Sequence, residues 1–219
     1  MGSRIVRRLA PVLPALALGL FCPCGDAMRA MAAPEPSPVP LRWELDVETG
    51  QLRLAMVEVA GEGLRPFLYL PYKVENNSGQ EVYFAPTFEL STDESAEVQR
   101  AGRGVPASVT DEIIRRLSNP FVQDQISVIG PLLQGAEHAR ESVAVWPVEN
   151  MKPSRVTVYA SGFSGETKRV TPPDASKEGG EAKEVVLRKT LMLEHLTPGD
   201  LAGQGNDPIS RTNTRWILR

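Results

Sequence analysis

From Leu41 onward the dominant spacing of apolar residues along this 219-residue chain is two. Trp43, Leu45 and Val47 alternate with Arg42, Glu44 and Asp46, as a half-buried strand requires, because successive side chains of a strand point to opposite faces. After the turn residues Glu48-Thr49-Gly50, a second run from Leu52 to Val59 predicts the returning strand of a hairpin. The clearest stretch is Leu68 to Leu90. Leu68, Leu70, Tyr72 and Val74 share one parity, with Tyr69, Lys73 and Glu75 on the other. Asn76-Asn77-Ser78-Gly79 supplies the turn, and Val82, Phe84, Pro86, Phe88 and Leu90 form the returning stripe. Pro71 and Pro86 lack the amide proton of a central ladder, so each marks an edge, a bulge or a bend between sheets.

One helix interrupts the alternation. Ser108 or Thr110 suits its cap and Asp111 and Glu112 suit its positive end. Ile113, Ile114 and Leu117 give it a short apolar face, and Asn119-Pro120 ends it. The strand pattern resumes over Ile126 to Leu133, Ser142 to Val148, Arg155 to Ala160 and Glu184 to Leu196. Thr171 to Lys183, rich in Pro, Gly and charge, reads as a mobile loop. Residues 198–219 carry almost no apolar period and read as a loosely structured C-terminal tail, ending in a small strand at Trp216, Ile217 and Leu218. Seven or more short strands, one brief helix and no βαβ alternation predict an all-β fold, an antiparallel β-sandwich with one short inserted helix, over residues 41–197.

The N-terminal composition adds an address. Arg4, Arg7 and Arg8 precede the apolar run Leu9 to Phe21, and Ala30-Met31-Ala32 follows, the pattern of a secretory signal peptide over residues 1–32. Cleavage is expected after Ala32, with Ala27 as the second choice. The run is shorter than the roughly 20 apolar residues of a membrane helix and contains Pro11 and Pro14, so no stable membrane span is expected. Cys22 and Cys24 lie on the discarded side, which predicts a cysteine-free mature chain. Cleavage also removes four arginines and one aspartate, moving the formal net charge from −3 to −6. An acidic product without clustered Lys and Arg excludes nucleic acid as its partner. Residues 33–40, with four prolines in eight positions, read as an extended spacer. The expected location is periplasmic or extracellular.

Several of these segments occur together in a known setting. Tyr72 to Gly79, then Phe88 to Asp93, then Leu133-Gln134-Gly135-Ala136-Glu137 leading into Val143 to Trp146 resemble the immunoglobulin-like β-sandwich modules of uncharacterised exported bacterial proteins. The likeness spans about Leu68 to Glu166. It lacks the cysteine pair of antibody domains. The resemblance implies a fold and an extracytoplasmic setting and brings no catalytic residue with it.

The side chains able to do chemistry are few. His138 lies in a polar turn beside Glu137 and Glu141, a spacing that falls short of a zinc site. His195 shares the parity of Leu191 and Leu193, which predicts a structural histidine on the apolar face. Gly162-Phe163-Ser164-Gly165 lacks the spacing of a nucleophile elbow. The pairs Asp93-Glu94 and Asp111-Glu112 read as a turn and a helix start, and the glycine turns at 61–63 and 102–104 lack the lysine of a phosphate cradle. No cofactor and no metal site is expected. Tyr69, Tyr83 and Tyr159 fall opposite the apolar stripes and are the candidate binding residues, able to stack on a sugar or grip a protein. The expected function is a non-catalytic envelope or periplasmic module that binds a protein or glycan through a surface or an open strand edge. Two alternatives accompany it: a hydrolase of envelope polymer using His138 or His195 as base, and a periplasmic chaperone with an unfilled edge.

Overall fold

The computed structural model describes residues 34–171 and 184–219. The proposed signal peptide, both cysteines and the loop at 172–183 lie outside the described residues. Among those described, thirteen strands and one α-helix follow in chain order: β1 (Asp46–Thr49), β2 (Arg53–Val59), β3 (Gly63–Glu75), β4 (Val82–Phe84), β5 (Thr87–Thr92), β6 (Ser95–Arg100), α1 (Ala107–Leu117), β7 (Val122–Gln123), β8 (Gly130–Leu132), β9 (Arg140–Pro147), β10 (Arg155–Ser161), β11 (Thr167–Val170), β12 (Val185–Leu196) and β13 (Ser210–Leu218).

The first sheet is built on β3. Its partner on one side is β9, and on the other side β2 and then β1 lie in line along its length. β1 and β2 are therefore not the hairpin that the spacing predicts; the hairpin joins β2 to β3. The break between β1 and β2 falls opposite Pro71, whose carbonyl accepts from Gly50 N–H at 2.8 Å. The N–H that proline lacks would point to that same side, so the ladder is interrupted where a donor is missing. A Cβ on Gly50 would come within 2.8 Å of the Pro71 ring. The short β7 runs parallel to β9 and closes the far edge.

The second sheet has the order β11-β12-β10-β5-β6, with β13 on the free side of β12. Residues 210–218 are thus a nine-residue strand paired with Lys189–Leu196, where the sequence reads as a loose tail. β6 and β11 were also absent from the sequence pattern, and the run Ile126 to Leu133 contributes only β8, which pairs with β4 in a two-stranded ribbon. Pro86 sits at the bend between β4, in that ribbon, and β5, in the second sheet. The spacer is irregular over 34–41 and tied down by the Ser37 N–H, which donates to Glu166 Oε1 at 2.8 Å.

One apolar core draws on both sheets: Leu68, Leu70, Tyr72 and Val74 of β3 and Trp146 of β9 meet Phe88, Leu90, Val156, Val158, Leu191 and Leu193. Phe163 stands edge-on to Tyr72, Phe84 and Phe88, with ring centroids 5.4–6.0 Å away. The reverse face of the first sheet is apolar as well. Ala55, Val57, Val59, Phe67, Tyr69, Val143 and Val145 are covered by Val109 and Ile113 of α1. The helix starts from Pro106 with no side-chain cap, which corrects the expected Ser108 or Thr110. Proline tolerates this end because its missing N–H needs no intrahelical partner. Glu112 lies past the first turn and pairs with Arg115 and Arg116 instead. No helix among the described residues is long and apolar enough to cross a membrane.

Candidate binding cleft

Three elements distant in sequence enclose a cleft of about 490 Å³: the β5–β6 hairpin, the first turns of α1 and the turn Asp124–Ile129. That volume is in the range of small-ligand pockets, roughly 300–1,000 Å³. Its floor is aromatic, from Tyr72 and Phe88, whose ring centroids are 4.6 Å apart. Burial pushes the Tyr72 hydroxyl up to about 12, so it stays protonated at neutral pH. Ile126, 81 % exposed, and Ile129 stand at the rim.

The polar groups of the cleft differ in how far they are already satisfied. Asp124 Oδ1 accepts from the backbone N–H of Ile126 and Ser127, and Oδ2 from the Ser127 hydroxyl, which holds its carboxyl below the usual range and folds the turn. Arg100 is exposed, and among the described residues its Nη2 donates a long bond, 3.3 Å, to Thr87 Oγ1. Gln125 Nε2 is buried and has no partner among the described residues. Asp111, on the exposed side of α1, makes no ion pair among them either.

The three tyrosines singled out by parity meet different fates. Tyr69 is 5 % exposed beneath α1, its hydroxyl donating to Asn206 Oδ1 at 2.8 Å. Tyr159 lies under the Arg219 guanidinium, 4.1 Å from its ring centroid, and Arg219 is in turn paired with Glu89. Tyr83 is 69 % exposed and pairs across the ribbon with Pro131. Ile129 and Leu133, on either side of Pro131 in sequence, are exposed too, and Ile129 also lines the cleft. Tyr69 and Tyr159 thus lie on different sheets from Tyr83, and the three do not form one surface.

No family model, curated protein or solved structure matches the chain.

Neither histidine lines the cleft. His195 is fully buried on the inner face of β12, and neither ring nitrogen has a hydrogen bond of ordinary geometry among the described residues. Burial, reinforced by the charge of Arg211, pushes its pKa down to about 4. His138 is exposed in a short 3-10 turn at Ala136–His138, 3.9 Å from Glu137. Among the described residues no three His, Cys, Asp or Glu side chains group closely enough to hold a metal ion. Gly162-Phe163-Ser164-Gly165 is a packing corner. Phe163 is in the core, Gly162 has φ +93°, and a Cβ there would come within 2.7 Å of the Ala85 carbonyl oxygen.

One polar cluster escaped the sequence reading. Lys189, 4 % exposed, places Nζ 2.6 Å from Glu44 Oε2, 3.5 Å from Glu166 Oε2 and 5.3 Å from the Trp216 ring centroid. It ties the segment just before β1, the β10–β11 corner and the β12–β13 pair at one point. Lys189 and Glu44 are 145 residues apart in sequence, and nothing in the local pattern of either links them.

Proposed function

We propose that this protein is exported by cleavage of residues 1–32 and acts in the periplasm or outside the cell as a non-catalytic, immunoglobulin-like β-sandwich module of the envelope. It binds protein in preference to glycan, through the cleft and its apolar rim. One observation carries this reading: an amphipathic cleft of about 490 Å³ is lined at its rim by large exposed apolar side chains, Ile126 and Ile129. Exposed apolar surface of this kind marks protein contact sites. Of the aromatic rings, Tyr72 and Phe88 are buried in the cleft floor and Tyr159 is covered by Arg219, so a sugar would find only Tyr83 of the three candidate tyrosines open, outside the cleft lining itself.

The test crosslinks purified protein with envelope extract before and after protease treatment, and repeats it with Ile126→Asp. Retention that is lost both on protease treatment and in Ile126→Asp supports the reading. Retention that survives either change refutes it, as does none at all. Fractionation of cells producing the full chain tests export: a full-length product confined to the cytosol overturns that part.

A further inference from the structure

The α-helix of the described residues lies on the first sheet, so among them none covers the outer face of the second. Strand alternation says which side chains stand there. Val156, Val158, Leu191 and Leu193 point into the core, so the alternate residues of β10 and β12 point outward, and cross-strand partners share a face. Arg155 and Arg188 are outward on this rule. Arg169 opposite Val186, Arg215 opposite Met192, and Arg219, whose backbone exchanges two hydrogen bonds with Arg188, join them. All five are exposed. The acids of the face are Glu89, paired with Arg219, Glu184, 3.7 Å from Arg169, and Glu194, which accepts from Asn213 Nδ2. Asp93 and Arg100, at the turn and the open end of the β5–β6 hairpin, offset each other. Five arginines against three glutamates leave the face at +2 in a chain whose formal net charge is −3.

We propose that this face seats the protein on an anionic phospholipid surface, with its arginines on headgroup phosphates and its exposed aliphatic side chains at the acyl boundary. Arginine suits phosphate because its planar fork donates to two oxygens at once. Two of the five stand beside large exposed aliphatics: Arg155 is opposite Leu196, 48 % exposed, and Arg169 is opposite Val186, 49 % exposed. These two pairs lie near opposite ends of β12, about 30 Å apart at the rise of a strand. Charges spread that far match a plane of headgroups and exceed the reach of one small anion. A soluble polyanion satisfies the arginines and leaves Val186 and Leu196 in water, whereas a bilayer surface takes both. The remaining surface of the protein is acidic and is repelled by the same lipid, which turns this face toward it. None of the five arginines lines the cleft, so the seat and the protein-binding site are separate surfaces and neither depends on the other.

Vesicle sedimentation tests this with the compact unit Ala33–Arg219, which holds the whole described core and omits the apolar run Leu9–Phe21, able to enter lipid by itself. The vesicles are phosphatidylcholine alone, and phosphatidylcholine mixed in equal parts with phosphatidylglycerol. Binding is expected to the mixed vesicles only, and to weaken as salt is raised. Arg155→Gln with Arg215→Gln lowers the partition coefficient about thirtyfold, at about fivefold per arginine. Arg188→Gln, at about fivefold alone, stands in should that pair unfold by circular dichroism. Val186→Ser with Leu196→Ser lowers it about fivefold or more. Arg65→Gln with Arg115→Gln removes the same charge from the first sheet and its helix and leaves binding little changed. Equal binding to both kinds of vesicle, or to neither, overturns the proposal, as does a loss in the Arg65 and Arg115 pair as large as in the Arg155 and Arg215 pair. Binding that is indifferent to Val186→Ser with Leu196→Ser and is competed away by dextran sulfate also overturns it, in favour of a soluble polyanion.

Discussion

Replacing Lys189 with methionine keeps most of the side chain's volume and removes only its charge. In the native protein that ammonium lies within 2.6 Å of Glu44 and 3.5 Å of Glu166, with side-chain exposures of 4 %, 23 % and 10 % for the three groups. Without it, two shielded carboxylates face each other with no cation between them. Breaking a buried ion pair from one side costs about 3–5 kcal/mol, because the remaining charge stays desolvated. Loss of the Trp216 contact adds about 0.5–1 kcal/mol. With a urea slope of about 2 kcal/mol/M, the unfolding midpoint of Lys189→Met falls by roughly 2 M. The triple variant Glu44→Gln, Lys189→Met, Glu166→Gln removes all three charges and is expected to recover most of the loss, since neutral replacements of a buried cluster are often near neutral in cost. Urea unfolding followed by tryptophan fluorescence reads both variants. A Lys189→Met midpoint within about 0.5 M of the parent, or a triple variant no better than the single, refutes the view that this lysine neutralises a desolvated acidic pair.

His195 binds a proton below 6.5 when unfolded and only below about 4 when folded. Its contribution is therefore complete above pH 6.5 and is lost as pH falls toward 4, amounting to about 2 kcal/mol by pH 5. Urea midpoints between pH 7.5 and 5 should fall steeply in the parent and less so in His195→Leu, with the exposed His138→Gln as control; an unchanged slope in His195→Leu would sink the assignment. Gly162→Ala must hold a Cβ at φ +93° against the Ala85 carbonyl oxygen and is expected to lose about 2–4 kcal/mol, read by thermal unfolding. Tyr69→Phe, which deletes the bond from the buried hydroxyl to the exposed Asn206, should cost about 1 kcal/mol, whereas Tyr83→Ser should leave stability within about 0.5 kcal/mol by the same denaturation assay.

The central strands were legible because burial imposes a period on them. Leu68, Leu70, Tyr72 and Val74 face the core as their parity requires, and His195 follows Leu191 and Leu193 inward. Where a strand lies at an edge, that contrast disappears. Ser210 to Arg215 reads Ser-Arg-Thr-Asn-Thr-Arg, yet it pairs along β12 through backbone groups, which no side-chain pattern reports. β6 was hidden for the same reason, with most of its six side chains exposed. Tyr69 was assigned to the correct face, but the sequence did not show that α1 folds back over it. The cleft had no motif to reveal it. Arg100, Asp111 and Gln125 are ordinary residues on three separate stretches of chain, and only the fold brings them to one cleft.

The long strand β3 is enclosed on every side near Leu68 and Tyr69, which pair with Leu54 and Arg53 on one flank and Trp146 and Val145 on the other. Leu68 points into the core between the sheets and Tyr69 into the one under the helix. Deuterium can reach these two amides only when the whole unit comes apart, since any smaller opening leaves at least one neighbour in place. Their exchange rates in plain buffer thus report the global unfolding free energy without denaturant, and loosening α1 alone should speed exchange in the helix while sparing Leu68.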